Sequence, residues 1–396
     1  MELGVVGKPN VGKSTFFAAA TLAPVHIANY PFTTVEPNRG VAYVRKRCPH
    51  VELGRPCNPK NAPCQDGTRL IPVEMLDVAG LVPKAHEGRG LGNKFLDDLR
   101  QANAFIHVID ATGGTDFEGN PVPPGSHDPL EDVRFLVEEL AHWIAGILSR
   151  NWDKEARRAD LEETPPEKVL LGRLTGLGLT EPQIHGALRE APLDSRMARW
   201  SAEDLLRLAR ALLRTGKPMM LAANKADLAT PEALQPLTRV EGYHSIPTSA
   251  EYELALRRAG AAGLIAYEPG ASSFRILNPE KLTSSQAKAL DTVAVFLEKR
   301  GSTGVQLCLE AAVFELLSLI VVYPVEDEHH WTDKSGNILP DAFLVPRGST
   351  ALDVAFKVHT DLGNHFIRAI NARTKMVVGR DHSVEDGDVI KIVAKV

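Results

Sequence analysis

Residues 7–14 read GKPNVGKS, a gapless G-x-x-x-x-G-K-S, and no other stretch of this chain limits its possible folds as tightly. Leu3 to Val6 before it form a short apolar run, and the residues from Lys13 onward can open a helix. Strand, glycine loop and helix in that order are the context a phosphate loop requires. Gly7 and Gly12 let the backbone turn its N–H groups inward at phosphate oxygens. Lys13 would reach the β- and γ-phosphates and the Ser14 hydroxyl would ligate Mg²⁺, while the helix start adds its positive dipole end. The candidate nucleotide-contacting run is therefore Gly7, Lys8, Pro9, Asn10, Val11, Gly12, Lys13, Ser14 and Thr15.

The chain has 396 residues, enough for two or three domains with proper cores. A net charge of -5 argues against a generic nucleic-acid coat or an anionic-membrane binder. No apolar run reaches membrane-spanning length. The chain opens on its first core strand, so neither a signal nor a transit peptide is expected, and four cysteines in this length suggest a reducing cytoplasm.

Asn29 to Gly40 (NYPFTTVEPNRG) is rich in Pro and Thr and has no helical period. In a nucleotide switch such a loop offers a threonine hydroxyl to Mg²⁺ and an N–H to the γ-phosphate. Thr33 and Thr34 both qualify, and Thr34 is favoured. After an apolar strand, Arg69 to Leu76, comes Asp77-Val78-Ala79-Gly80. Asp77 stands where a carboxylate can hold Mg²⁺ through water, and the Gly80 N–H can bond the γ-phosphate. Lys13, Thr34 and Gly80 are thus the candidate catalytic residues, and Ser14, Thr34 and Asp77 the metal set. Leu81 follows, where a glutamine could orient water; leucine cannot. His86 and Glu87 have suitable chemistry, although exposed loop positions are the commoner reading.

Between these stretches, Cys48, His50, Cys57 and Cys64 offer four soft ligands, enough for a structural tetrahedral Zn²⁺. No C-x-x-C knuckle is present, and free thiols in a turn-rich hairpin are the alternative.

From Asp77 to Asn224 is 147 positions, far more than two strand-helix-strand units of about thirty residues each. The surplus lies between Pro129 and Gly216, where apolar stripes at helical spacing mark Glu131 to Ser149 and Ser201 to Arg214. An inserted helical subdomain is expected. Pro218 to Ala223 then form a buried strand capped by Asn224-Lys225-Ala226-Asp227. In N-K-x-D, the Asp227 carboxylate accepts from the N1–H and exocyclic amine of guanine, Asn224 supports the loop and Lys225 lies over the base. Adenine has no N1–H, so Asp227 would face an acceptor. Ser249 and Ala250 end the next strand in small residues whose amides can reach the guanine carbonyl. Four motifs in this order predict a guanine-nucleotide-binding domain of α/β class.

Gly304 to Leu319 reads as an apolar helix, Ser349 to Val358 as a capped helix, and Gly387 to Val393 as a closing strand. The last 75 or so residues suggest a small β-sheet wrapped on one helix. The predicted division is a split nucleotide domain at 1–129 and 216–320, helical residues 130–215, and a C-terminal domain at 321–396.

NYPFTTVEPNRG, LDVAGLVPKAHEGRGLGNKFLDDLRQA and HTDLGNHFIRAIN with VEDGDVIKIV give the chain its resemblance to the Obg-related GTPases. It is similar to the YchF branch and its archaeal relatives that end in a TGS domain. The resemblance implies a P-loop NTPase fold with a mostly parallel doubly wound sheet and a ubiquitin-like β-grasp module. It also implies GTP hydrolysis to GDP and association with ribosomes, rRNA or translation factors. YchF proper usually carries Glu at the last position of N-K-x-D and prefers ATP, whereas this chain keeps Asp227. A hydrophobic residue at Leu81 agrees with the family, whose members can use K⁺ held in part by a phosphate-loop asparagine, here Asn10. The resulting expectation is a monomeric, cytoplasmic, Mg²⁺-dependent GTPase switch. The alternatives are a YchF-type ATPase, or a nucleotide-gated RNA- or ribosome-binding adaptor with incidental hydrolysis.

Overall fold

The computed structural model describes residues 1–22, 38–78 and 100–395. Thr33, Thr34, Gly80, Leu81, His86 and Glu87 lie outside the described residues. The chain forms two compact units, one from residues 1–22, 38–39, 75–78 and 100–308, the other from 40–74 and 309–395. No helix among the described residues is long and apolar enough to cross a membrane.

In the first unit, β1 (Glu2–Val6), β5 (Ala104–Asp110), β6 (Met219–Asn224) and β7 (Ser245–Pro247) lie side by side in that order, all parallel. The end of β4 (Thr68–Asp77) flanks β1, and β8 (Ile265–Ala266) pairs antiparallel with β9 (Arg275–Ile276) in a separate two-stranded sheet. Every residue of β5 and β6 is buried, as expected of strands in a parallel sheet covered on both faces. The register sets Val5 opposite Ile106 and Asp110 opposite Asn224. The glycine loop, Asp110 and Asn224 therefore leave the sheet at one carboxyl edge, where open α/β sheets bind ligands.

The inserted helices carry their own core. Asp128 caps the helix Pro129–Ser149 by accepting the Leu130 N–H, with Pro at the first turn. Ser201 and Asp204 form a capping box on Ala202–Gly216. Leu136, Leu140 and Ile144 of the first helix bury with Leu205, Leu208 and Leu212 of the second, and Trp152 stacks on Trp200 at 5.4 Å. Arg173 donates to the Leu148 and Arg150 carbonyls, serving the exposed C-terminal end of the first helix. Arg199, Arg207, Arg210 and Arg214 pair with Asp194, Asp204, Glu138 and Glu190 on the surface, where each pair contributes little to stability.

The second unit holds a five-stranded sheet in the order β11-β10-β14-β12-β13, comprising β10 (Leu319–Val325), β11 (Phe343–Pro346), β12 (Phe366–Asn371), β13 (Val377–Val378) and β14 (Val389–Ala394). β10 and β14 are parallel and the other pairs antiparallel. The helix Ala351–Val358 packs Ala351 and Val354 onto Ile320, Val322, Ala369 and Ile390. A second short helix, Thr360–Asn364, accompanies the single one expected. β2 (Arg39–Arg47) neighbours β4, and β3 (Cys64–Gln65) pairs with it antiparallel.

One expected element differs. The run 304–319 is not one helix: it is α-helical over Val305–Glu310, widens to a π turn over Ala311–Leu316, and stops at Ser318, whose φ is 49°. Leu319 already belongs to β10. An unbroken apolar run cannot tell a buried helix from a buried strand, and this one contains both.

Candidate nucleotide site

Two glycines shape the loop after β1. Gly7 has φ 152°, and a Cβ there would lie 2.5 Å from the Val108 carbonyl oxygen. Gly12 has φ 93°, and its Cβ would lie 2.3 Å from Asn224 Nδ2. Side chains are excluded at both positions, so the backbone stays free to approach a ligand. Gly12 also starts helix α1 (Lys13–Thr21), which directs unpaired N–H groups and the positive dipole end at the same point. Gly12→Ala is therefore expected to strain the loop by about 1–2 kcal/mol and displace Asn224. Titration with a fluorescent GDP analogue should show affinity reduced about tenfold or more; unchanged affinity would mean that this loop does not hold the phosphates.

At the start of α1, Ser14 Oγ donates to Asp77 Oδ2 at 3.1 Å, and the Lys13 ammonium is 3.8 Å from Asp77 Oδ1. That Oδ1 is buried without a hydrogen-bond partner among the described residues. A hydroxyl and a carboxylate with an unspent oxygen, beside a glycine cradle, suit a hard cation carried with phosphates.

The second half of the site is tied directly to the loop. Asn224 Nδ2 donates to the Val11 carbonyl at 2.9 Å, and its Oδ1 accepts the Ala250 N–H at 3.0 Å and the Thr248 hydroxyl at 3.4 Å. One buried side chain thus holds together the phosphate loop and the loop after β7. Lys225, at φ 60°, extends to the buried Asp110 at 2.7 Å. Asp110 also accepts from the Thr112 N–H and hydroxyl. Asp227 is half-buried, and its carboxylate makes no hydrogen bond with another described residue. The Ser249 N–H goes to the Thr303 carbonyl and the Ala250 N–H to Asn224, so both amides are engaged within the protein.

The loop 112–127 was not singled out from sequence, yet it closes over the phosphate loop. Lys8, only 6% exposed, donates to the Thr115 carbonyl at 2.9 Å and pairs with Asp132 at 2.8 Å. His127 Nε2 lies 2.8 Å from the same carboxylate. Asn10 Nδ2 donates to the Gly119 carbonyl at 3.0 Å, and Gly119 fits against Pro9 so closely that a Cβ would be 2.6 Å from its carbonyl oxygen. The only hint in the sequence was a long segment of turn residues without apolar periodicity between β5 and the helix Pro129–Ser149.

In the second unit the structure brings Cys48, His50, Cys57 and Cys64 together, with all four ligand atoms within 4.8 Å of one another. The packed thiols favour a single thiolate. Hydrogen bonds from Cys57 and Cys64 draw Cys48 far below the ordinary thiol range and push its two partners up.

Residues 2–142 match the model of a 50S ribosome-binding GTPase family, 222–327 that of the Obg-like GTPase YGR210-like G4 motif-containing domain, and 335–394 that of the TGS domain. A GTP-binding protein of Methanocaldococcus jannaschii is 54% identical over 99% of this chain and 98% of its own length. The ribosome-binding ATPase YchF of Escherichia coli O157:H7 is 27% identical over 100% of this chain and 99% of its own. The crystal structure of a GTP-binding protein from Pyrococcus horikoshii OT3 superposes with a TM-score of 0.80 at 46% identity, covering 100% of both chains.

Proposed function

This chain belongs to the YchF/Obg-like family of GTPases, and we propose that it hydrolyses GTP as a nucleotide switch working in association with ribosomes. The observation that carries the guanine assignment is the free Asp227 carboxylate beside Asn224, which is itself bonded to Val11 of the phosphate loop. A carboxylate that no other described residue engages is an acceptor pair for the N1–H and amine of guanine. The ATPase reading draws on the E. coli relative, named a ribosome-binding ATPase, but an adenine ring would leave Asp227 facing an acceptor. Ribosome association rests on that relative and on the family model matched by residues 2–142.

In this reading the loop amides and Lys13 hold the phosphates, Ser14, Thr34 and Asp77 form the cation set, and Thr34 and Gly80 report the γ-phosphate. Bound at Ser14 and Asp77, Mg²⁺ would neutralise charge developing on the phosphates. Asn10 spends its amide on Gly119, which leaves its Oδ1 without a partner among the described residues. That oxygen can ligate K⁺, a fixed positive charge beside the β- and γ-phosphates. Leu81 cannot orient water, so intrinsic turnover is slow. By function, residues 1–129 with 216–320 carry the nucleotide chemistry, 130–215 the inserted helices and 321–396 the TGS module, although compactness groups 40–74 with the C-terminal residues. The protein acts as a cytoplasmic monomer.

Turnover of GTP and ATP by the purified protein, in K⁺ and in Na⁺ buffers, tests this. GTP-selective turnover raised several-fold by K⁺, with the K⁺ effect lost in Asn10→Ala, is expected. ATP-selective turnover would overturn the Asp227 assignment, and indifference to the cation would overturn that of Asn10. Ribosome co-sedimentation that is undiminished in Lys13→Ala would leave an adaptor without a nucleotide switch.

A further inference from the structure

We propose that Cys48, His50, Cys57 and Cys64 form a structural zinc site that fastens the loop 54–63 and, through it, residues 338–342 of the second unit. A tetrahedral zinc with bonds of about 2.3 Å to sulfur and 2.0 Å to nitrogen requires edges of about 3.8 Å between sulfurs and 3.5 Å between sulfur and nitrogen. The Cys48 and Cys57 sulfurs are 3.9 Å apart, and Cys64 Sγ is 3.5 Å from His50 Nδ1. These are ligand-edge distances, far from the roughly 2.05 Å of a disulfide, and all three cysteines are free. Four protein ligands complete the shell, so the site is structural.

A buried charge supplies independent support. Arg69 is 0% exposed and stands opposite Cys64 in the β3–β4 register. Its guanidinium donates to the Ala62 and Leu339 carbonyls, its Nε has no partner, and it forms no ion pair with a carboxylate among the described residues. Arginine is almost never fully buried unless paired. A zinc ion with three thiolates and a neutral imidazole carries a net charge of minus one and would add a close counter-charge to that of Asp341, which interacts with Arg69 electrostatically from beyond ion-pair distance.

The site also has a mechanical role to fill. The loop between Cys57 and Cys64 contains no helix or strand and contributes only Ala62 and Pro63 to buried structure. Yet it is a docking edge: Asn58 N–H donates to Ile338 O at 2.9 Å, Lys60 N–H to Pro340 O at 2.7 Å, and Asn61 exchanges two bonds with Ala342. A loop with so little apolar burial needs a cross-link to keep such a register.

The test uses the full-length chain purified from zinc-supplemented growth. Mass-spectrometric metal analysis should find about one zinc per chain, retained in Cys308→Ser, whose buried thiol stands outside the cluster, and reduced at least tenfold in Cys57→Ser and Cys64→Ser. Should those two variants fail to fold, the wild-type protein decides: Co²⁺ exchanged into it should give the intense visible bands of a tetrahedral ion and a thiolate charge-transfer band. Chelation should raise hydrogen exchange at the Asn58, Lys60 and Ala342 amides. Substoichiometric zinc together with an octahedral Co²⁺ spectrum would overturn the proposal, as would a Cys48–Cys57 disulfide in the protein as isolated.

Discussion

An Asp227→Asn variant should bind GTP about 100-fold more weakly than the wild type and bind xanthosine triphosphate better than GTP. Two donors of guanine, N1–H and the exocyclic amine, face the carboxylate in the proposed pose. The amide keeps one acceptor but sets its NH₂ against the guanine amine, donor to donor. Losing one hydrogen bond to a charged group costs about 1.5–3 kcal/mol, which is about 10- to 150-fold in affinity. Xanthine has a carbonyl in place of the amine, so the same NH₂ regains a partner. The substitution is clean because Asp227 makes no hydrogen bond to the rest of the described protein; the fold should survive and only the base preference move. Displacement of a fluorescent GDP analogue by GTP, xanthosine triphosphate and ATP reads the outcome. Unaltered GTP affinity would place the base somewhere other than against Asp227.

The two halves of this site were legible in the sequence for a physical reason: each is a short contiguous string whose residue types are forced locally. Gly7 and Gly12 are required by positive φ and by atoms within 2.5 Å of a would-be Cβ, and Asn224 by three bonds that no other side chain could make together. Local signals also set the helix 284–300, bounded by the Thr283–Gln286 capping box and by Gly301 at φ 78°. What the sequence did not reveal depends on distant partners. Asp110 meets Lys225 across 115 positions and Lys8 meets Asp132 across 124, and no pattern of spacing or composition marks such pairs. The Cys/His cluster lay between these cases: its residues are close in sequence, but only the packing of the loop brings the four ligand atoms together.

Asp132→Ala should lower the stability of the first unit by about 3–5 kcal/mol, because removing one partner of the buried Lys8–Asp132 pair strands a buried charge. Both side chains are 5% exposed, and among the described residues the Lys8 ammonium otherwise meets only the Thr115 carbonyl. The same carboxylate holds His127, so its loss also frees the loop 112–127 that lies over Asn10. Desolvation offsets much of the attraction in such a pair, so a Lys8→Met/Asp132→Leu double variant, which removes both charges and keeps the volume, should recover most of the loss. Urea denaturation of the wild type, Asp132→Ala and the double variant measures this. A double variant as unstable as Asp132→Ala would show that packing, not the stranded charge, sets the cost. Nucleotide affinity in the stable double variant then separates two roles of the pair. If it is unchanged, Lys8 only anchors the loop. If it falls, the salt bridge holds the phosphate loop in its binding shape, and the helix Pro129–Ser149, which carries Asp132 in its first turn, is mechanically joined to the nucleotide.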